Sequence, residues 1–229
     1  GLLIYMINVD GIENIVDLLH KVDYRWVFAG VICVLIHWTC EMLTLHIPIK
    51  RMYPKQPITN SIKVSMIGLL FNNITPFSSG GQPIQAYEFT KTGKRVSDSL
   101  SAMAMKFIIT QIALVVTTVI VMLFEFNFVK DLMKDYIWVV IVGFAINILA
   151  IIVVILAGLK KKLITSLTTP IIKFLGKIRI IKNVDKTIEK LDKSIDNFGR
   201  QFKIMKDEKK MVFQMFIIAV IQSFAYYSI

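Results

Sequence analysis

The chain has little of what secreted domains and hydrolytic enzymes are built from. It holds two cysteines in 229 residues, Cys33 and Cys40, both inside one apolar run. On a helix that spacing puts them near one face, about two turns apart and too far for a disulfide, so both read as packing residues. The three histidines, His20, His37 and His46, form no metal-ligand spacing with them. No HExxH, GxSxG, Walker loop or glycine-rich dinucleotide fingerprint occurs. Hydrolysis and ATP-driven transport by this chain alone therefore lack their residues, and neither a cofactor nor a metal is expected. Acidic residues are scarce, 16 against 27 basic, for a net charge of +11. A basic chain can serve nucleic acid, but no base-stacking or groove-reading motif accompanies the charge, and no nucleic-acid partner is expected.

What abounds is apolar. The chain is 55% hydrophobic with a mean hydropathy of +0.62, more apolar surface than a soluble domain of this length carries. It reads as all-α, a polytopic α-helical membrane protein with anionic phospholipids as its natural partners. Spans are expected at 26–49, 96–124, 136–159 and 211–229, in one transmembrane domain covering 1–229. Residues 1–7 lack the basic n-region and cleavage site of a signal peptide and read as the tail of an earlier span. The last run stops while still apolar, so the domain is expected to be truncated at both ends. Residues 9–21 pattern as an interfacial helix. Pro48 and the basic KRMYPK segment are expected to end the first full span. Thr59, Asn60 and Ser61 are placed to cap the next helix, and 125–135 reads as a polar loop.

The stretch FNNITPFSSGGQPIQAYE at 71–88 cannot be a span. Pro76 and Pro83 each remove a backbone donor. Gly80 and Gly81 suit a positive φ or a close approach. Short apolar or amphipathic runs flank it, which predicts a re-entrant broken-helix pair over about 60–90. Irregular backbone survives in a membrane only where protein buries it or water bathes it. Charge supports the re-entrant reading. If 60–90 enters and leaves on one side, segments 50–63, 91–95 and 160–210 share the cytoplasm and hold 22 of the 27 basic residues. Loops 8–25 and 125–135 then lie outside, with four basic against seven acidic residues.

Two readings of the break stand side by side. In one, free N–H groups at the second helix start bind an anion such as phosphate. Thr75, Ser78 and Ser79 then supply hydroxyls, and Asn72, Asn73, Gln82 and Gln85 supply amides. In the other, SSGG is a surface turn. Glu41 lies well inside its span, where charges are rare unless paired or facing a cavity. Lys106 is its partner in type, or else a snorkelling lysine. Glu88 belongs to the second half-helix or is a solvated acid beside Lys91, Lys94 and Arg95. His37, one turn before Glu41, can share its hydrogen bond or be structural.

The basic segment 160–210 carries an apolar stripe at Val184, Ile188, Leu191, Ile195, Phe198, Phe202 and Met205, spaced alternately by four and three. It predicts a long amphipathic cytoplasmic helix that lies on the membrane or on a partner helix. The sharper alternative is a coiled-coil homo-oligomer through 184–205.

The segment NNITPFSSGGQPIQAYEFTKTG resembles the signature of the lysylphosphatidylglycerol synthase/flippase membrane-domain family, the membrane half of the multiple peptide resistance factor and its stand-alone relatives. Asn73, Pro76, Gly80, Gly81, Gln85 and Tyr87 occupy the family's places, and FIITQ at 107–111, ending in Gln111, resembles its continuation. The resemblance implies a bacterial inner-membrane protein that handles phospholipids and in some relatives flips aminoacylated phosphatidylglycerol outward. It thus implies a lipid translocase with a headgroup held at 78–82 and a path lined by Gln85, Tyr87 and Lys106. An alternative is the membrane part of a phosphatidylglycerol lysyltransferase whose catalytic domain lies elsewhere. A third is a scaffold docking through the 184–205 stripe.

Overall fold

The computed structural model describes residues 23–76, 80–124, 126–177 and 183–229. The expected helix tail at 1–7, the interfacial helix at 9–21, and Ser78 and Ser79 lie outside the described residues. Among the described residues there are eight helices and no strand. They are α1 (Tyr24–Met52), α2 (Ile58–Ile74), α3 (Gly81–Lys91), α4 (Val96–Phe124), α5 (Phe126–Leu159), α6 (Lys161–Lys177), α7 (Val184–Asp207) and α8 (Lys209–Tyr227). Four stretches are long and apolar enough to cross a membrane: Tyr24–Met52, Val96–Phe124, Trp138–Leu159 and Lys209–Tyr227. The chain is a polytopic α-helical membrane protein.

Three boundaries differ from expectation. Helix α1 continues through Pro48 and stops only at Tyr53, just before Pro54. A proline forfeits one backbone bond, and a membrane helix packed on neighbours tolerates that loss. The expected loop 125–135 is, from Phe126 on, the first turns of α5, since neither Pro nor Gly interrupts the sequence there. The cap expected from Thr59, Asn60 and Ser61 is absent: the N-cap of α2 is Pro57, and these residues fill the first turn.

Helices α2 and α3 form an antiparallel hairpin whose rungs can be read off from base to tip. Asn60 Nδ2 donates to Thr92 Oγ1 at 3.3 Å. Lys63 Nζ lies 3.8 Å from Glu88. Gly68 faces Gln85, and Asn72 faces Gly81. Both ends of the hairpin therefore sit at one level, as the expected broken-helix pair requires. Tyr53 ties that level to the next span, since its hydroxyl donates to Asp98 at 2.6 Å and accepts from the Arg95 N–H at 3.1 Å. One apolar core, with Leu45, Ile49, Val64, Ala86, Phe89, Ala102 and Met103 buried, joins the hairpin to α1 and α4.

The stripe of α7 packs against its own chain. Phe202 and Met205 enter a second core with Met105, Ile108, Ile109 and Ala113 of α4 and Met211, Met215 and Ala219 of α8. Gly158 of α5 allows this approach, because a Cβ there would strike the Phe202 ring. Asn197 donates to Ser97 Oγ at 2.7 Å and also bonds Asp98, while Arg51 pairs with Glu208. The basic segments thus gather at one end of the bundle, where Tyr53 and Asp98 knit α1, α4 and α7 together.

Candidate functional site

The residues singled out by sequence fall in three places. The first is the hairpin tip. Thr75 is extended, with φ −106 and ψ 144, as the residue before a proline should be, and α2 ends there. Its hydroxyl donates to Phe71 O at 2.6 Å and accepts from the Gly80 N–H at 2.9 Å. The Gly81 N–H donates to Asn72 Oδ1 at 2.9 Å. The start of α3 is thus capped from within the chain at both glycines. Gly80 itself is right-handed, with φ −79 and ψ −20, so neither glycine serves a positive φ. What they permit is approach. A Cβ on Gly81 would meet Asn72 and come within 2.7 Å of the Gly68 carbonyl. Gln85 is buried against Gly68, while Asn73, Pro76, Gln82 and Tyr87 stand on the exposed side of the hairpin.

The second place is the hairpin base. Glu88 is buried between Lys91 Nζ, at 2.5 Å, and Lys63. The hydrogen bond from Lys91 holds its carboxyl below the usual carboxylate range. Lys94 is also buried, 5.4 Å from the Phe89 ring, and donates to Thr92 Oγ1 at 2.7 Å. Burial pushes its ammonium pKa down.

The third place lies inside the span bundle. Glu41 of α1 and Lys106 of α4 form an ion pair whose side chains are 13% and 14% exposed. The second carboxylate oxygen accepts from Gln222 Nε2 of α8 at 2.8 Å. Two ionised groups in apolar surroundings persist only when paired and hydrogen-bonded, and here three helices supply the partners. Beside them opens a cleft of about 290 Å³ lined by His37, Gln111, Gln222, Ser223, Tyr226 and Tyr227, among others. The His37 ring lies 5.3 Å from that of Tyr226. Gln222 Oε1 is buried and has no partner among the described residues. The cleft therefore offers an unmet acceptor beside a charge pair, as a site for a polar guest inside a membrane would.

Glu41 and Lys106 are thus brought together, with Gln111 lining the cleft beside them, apart from the tip residues. Gln222, Ser223 and Tyr226 went unremarked in the sequence. Their signal is the polar cluster QSFAYY at the end of an otherwise apolar run. In depth the sites overlap. Ser61 of α2 meets His46 of α1 at 2.8 Å, and the chain reverses between them. Following α2 inward by about 1.5 Å per residue, the hairpin passes the level of Glu41 and ends roughly two turns beyond it.

No match was found among curated proteins, and none among solved structures. The family description that does match, lysylphosphatidylglycerol synthase TM region, covers residues 1–229, and the chain belongs to that family.

Proposed function

We propose that this chain is the translocating core of an inner-membrane phospholipid translocase, with its basic end in the cytoplasm. The observation that carries the reading is a paired charge, Glu41–Lys106, held inside the span bundle beside a cleft with an unmet acceptor. A headgroup crossing a bilayer needs polar partners along its way, because an unsatisfied polar group in hydrocarbon costs several kcal/mol. Discontinuous helices meeting near the midplane build such partners in many transporters. Here Asn72, Thr75, Gly80 and Gly81 shape the hairpin tip. Gln85 fixes its packing, and Gln111 with Gln222 lines the cleft beside the Glu41–Lys106 pair. The cap bonds at Gly80 and Gly81 occupy the N–H groups that would otherwise hold a phosphate, which shifts the weight of headgroup contact to the cleft. Anionic or aminoacylated phosphatidylglycerol is the substrate class that the family suggests.

The test is headgroup accessibility in vesicles containing the full-length protein, with phosphatidylglycerol and its lysylated form. Wild type should speed headgroup movement between leaflets. Gly81→Val, which drives a side chain into Asn72, should abolish it while the protein stays in the membrane. Unchanged movement in a folded Gly81→Val protein would sink the reading. The family description also supports a second one, the membrane part of a phosphatidylglycerol lysyltransferase. Lysine transfer from lysyl-tRNA by the full-length protein, with no lipid movement, would favour it.

A further inference from the structure

A groove of about 730 Å³ lies between α6 and α7 at the basic end, apart from the hairpin and from the Glu41–Lys106 cleft. Helix α6 begins directly after the Trp138–Leu159 span, so the groove's entrance sits where a bilayer's headgroups would lie. Its wall is one stripe of α6: Lys161, Thr165, Thr169 and Lys173 follow at intervals of four, with Lys162 and Ser166 beside them. Asp192 of α7 also lines it, but that carboxylate is occupied. Lys161 Nζ donates to Asp192 and Asp196 at 2.8 Å each, which fixes the opposite wall. Lys162 and Lys173 have no ion-pair partner among the described residues and stand exposed at the groove.

Thr165 Oγ1 is buried and has no hydrogen-bond partner among the described residues. A buried hydroxyl is rarely left unmet, and each instance calls for an explanation. Pro170, the threonine methyls and the lysine stems make the remaining surface apolar. Phe174, 61% exposed close by, gives α6 the character of a helix lying at an interface. Two uncommitted ammonium groups, a waiting hydroxyl and an apolar wall at headgroup depth complement a phosphate on an amphiphile. We propose that the α6–α7 groove binds the phosphate group of an anionic phospholipid, with Lys162 and Lys173 as its counter-charges and Thr165 as its hydrogen-bonding partner. This site stands independently of the translocation reading.

Native mass spectrometry of the full-length protein, titrated separately with phosphatidylglycerol and phosphatidylcholine, tests it. Wild type should retain phosphatidylglycerol in preference to phosphatidylcholine. Lys162→Ala with Lys173→Ala should weaken that retention about thirtyfold, since each lysine near a membrane surface is worth about 1 kcal/mol. Thr165→Val keeps the shape, and so the fold, and should weaken it about threefold. Lys186→Ala with Lys190→Ala removes the same charge from the exposed side of α7 and should leave retention unchanged. Displacement of the lipid by millimolar inorganic phosphate would assign the groove to a soluble phosphate, and persistence would assign it to a lipid headgroup. Equal loss in both double variants, or no preference for phosphatidylglycerol, would overturn the proposal.

Discussion

The spans of this protein treat the membrane in two opposite ways. The Trp138–Leu159 stretch of α5 has the highest hydropathy of the four, 3.2, and none of its most apolar window is buried. Ile141, Ile146 and Leu149 are exposed to 61%, 63% and 60%, so its natural solvent is lipid. Helices α1, α4 and α8 are less apolar, carry Glu41, Lys106 and Gln222, and turn these toward one another. The re-entrant hairpin packs on α1 and α4 of this group. Hydropathy alone would rank α5 as the best span, and it is. Apart from Asn147, whose buried Oδ1 has no partner among the described residues, it has little to offer a polar guest. The buried charge pair sits where the spans are worst by that measure.

The contrast can be broken most sharply at Glu41. Glu41→Ala leaves Lys106 charged and unpaired among apolar neighbours, which should cost about 3–5 kcal/mol and show as a large fall in melting temperature in detergent. Adding Lys106→Met should return most of that loss. A double variant no more stable than the single one would mean that the pair does not carry the bundle's charge.

Gly68→Leu comes next. Its side chain would collide with Gln85, and overpacking of this kind costs about 1–3 kcal/mol. Because the collision lies between the rungs, it should pry the hairpin apart. A disulfide engineered by Asn60→Cys and Thr92→Cys should form readily in wild type and poorly in the Gly68→Leu background. Tyr53→Phe removes one hydroxyl that serves both Asp98 and the Arg95 N–H, and should cost about 1–2 kcal/mol in unfolding experiments. Ile146→Ala, on the lipid side of α5, should change stability by less than about 0.5 kcal/mol.

The smallest effect is one of pH. The carboxyl of Glu88 titrates below its ordinary range because Lys91 hydrogen-bonds its charged form. Its contribution to hairpin docking is therefore complete above the unfolded value of about 4.3 and is lost as pH falls through the lower, folded value. Hydrogen exchange in α3, corrected for its intrinsic pH dependence, should lose protection only at that acidic end. Glu88→Gln should remove the dependence.

Much of the fold could be read before any coordinates. The break was legible at Pro76, just past the end of α2, whereas Pro83 lies in the first turn of α3, where a missing N–H costs little. The charge asymmetry predicted a pair whose two ends lie together, and α2 and α3 do form an antiparallel hairpin. Local rules failed where tertiary contacts decided. Pro48 stays inside α1 because neighbours support a helix that its sequence interrupts. The start of α5 is helical although its polar residues suggested a loop. The apolar stripe of α7 is real, but periodicity names a buried face and not what covers it; here the cover is α4, α5, α6 and α8. At the candidate site, Glu41 and Lys106 matched by charge, whereas Gln222 lies 181 residues from its carboxylate partner, a distance no local pattern reaches. Of the two roles open to the glycines of the tip, a positive φ or a close approach, it is close approach that they serve.

Lipid movement, as proposed, depends on the polar bundle and not on the apolar wall. Headgroup movement should therefore be compared in vesicles of wild type, Glu41→Gln and Ile146→Ala, each shown to be folded by its elution and melting. The claim predicts movement lost or reduced more than tenfold in Glu41→Gln and unchanged in Ile146→Ala. Equal rates in all three proteins would contradict it.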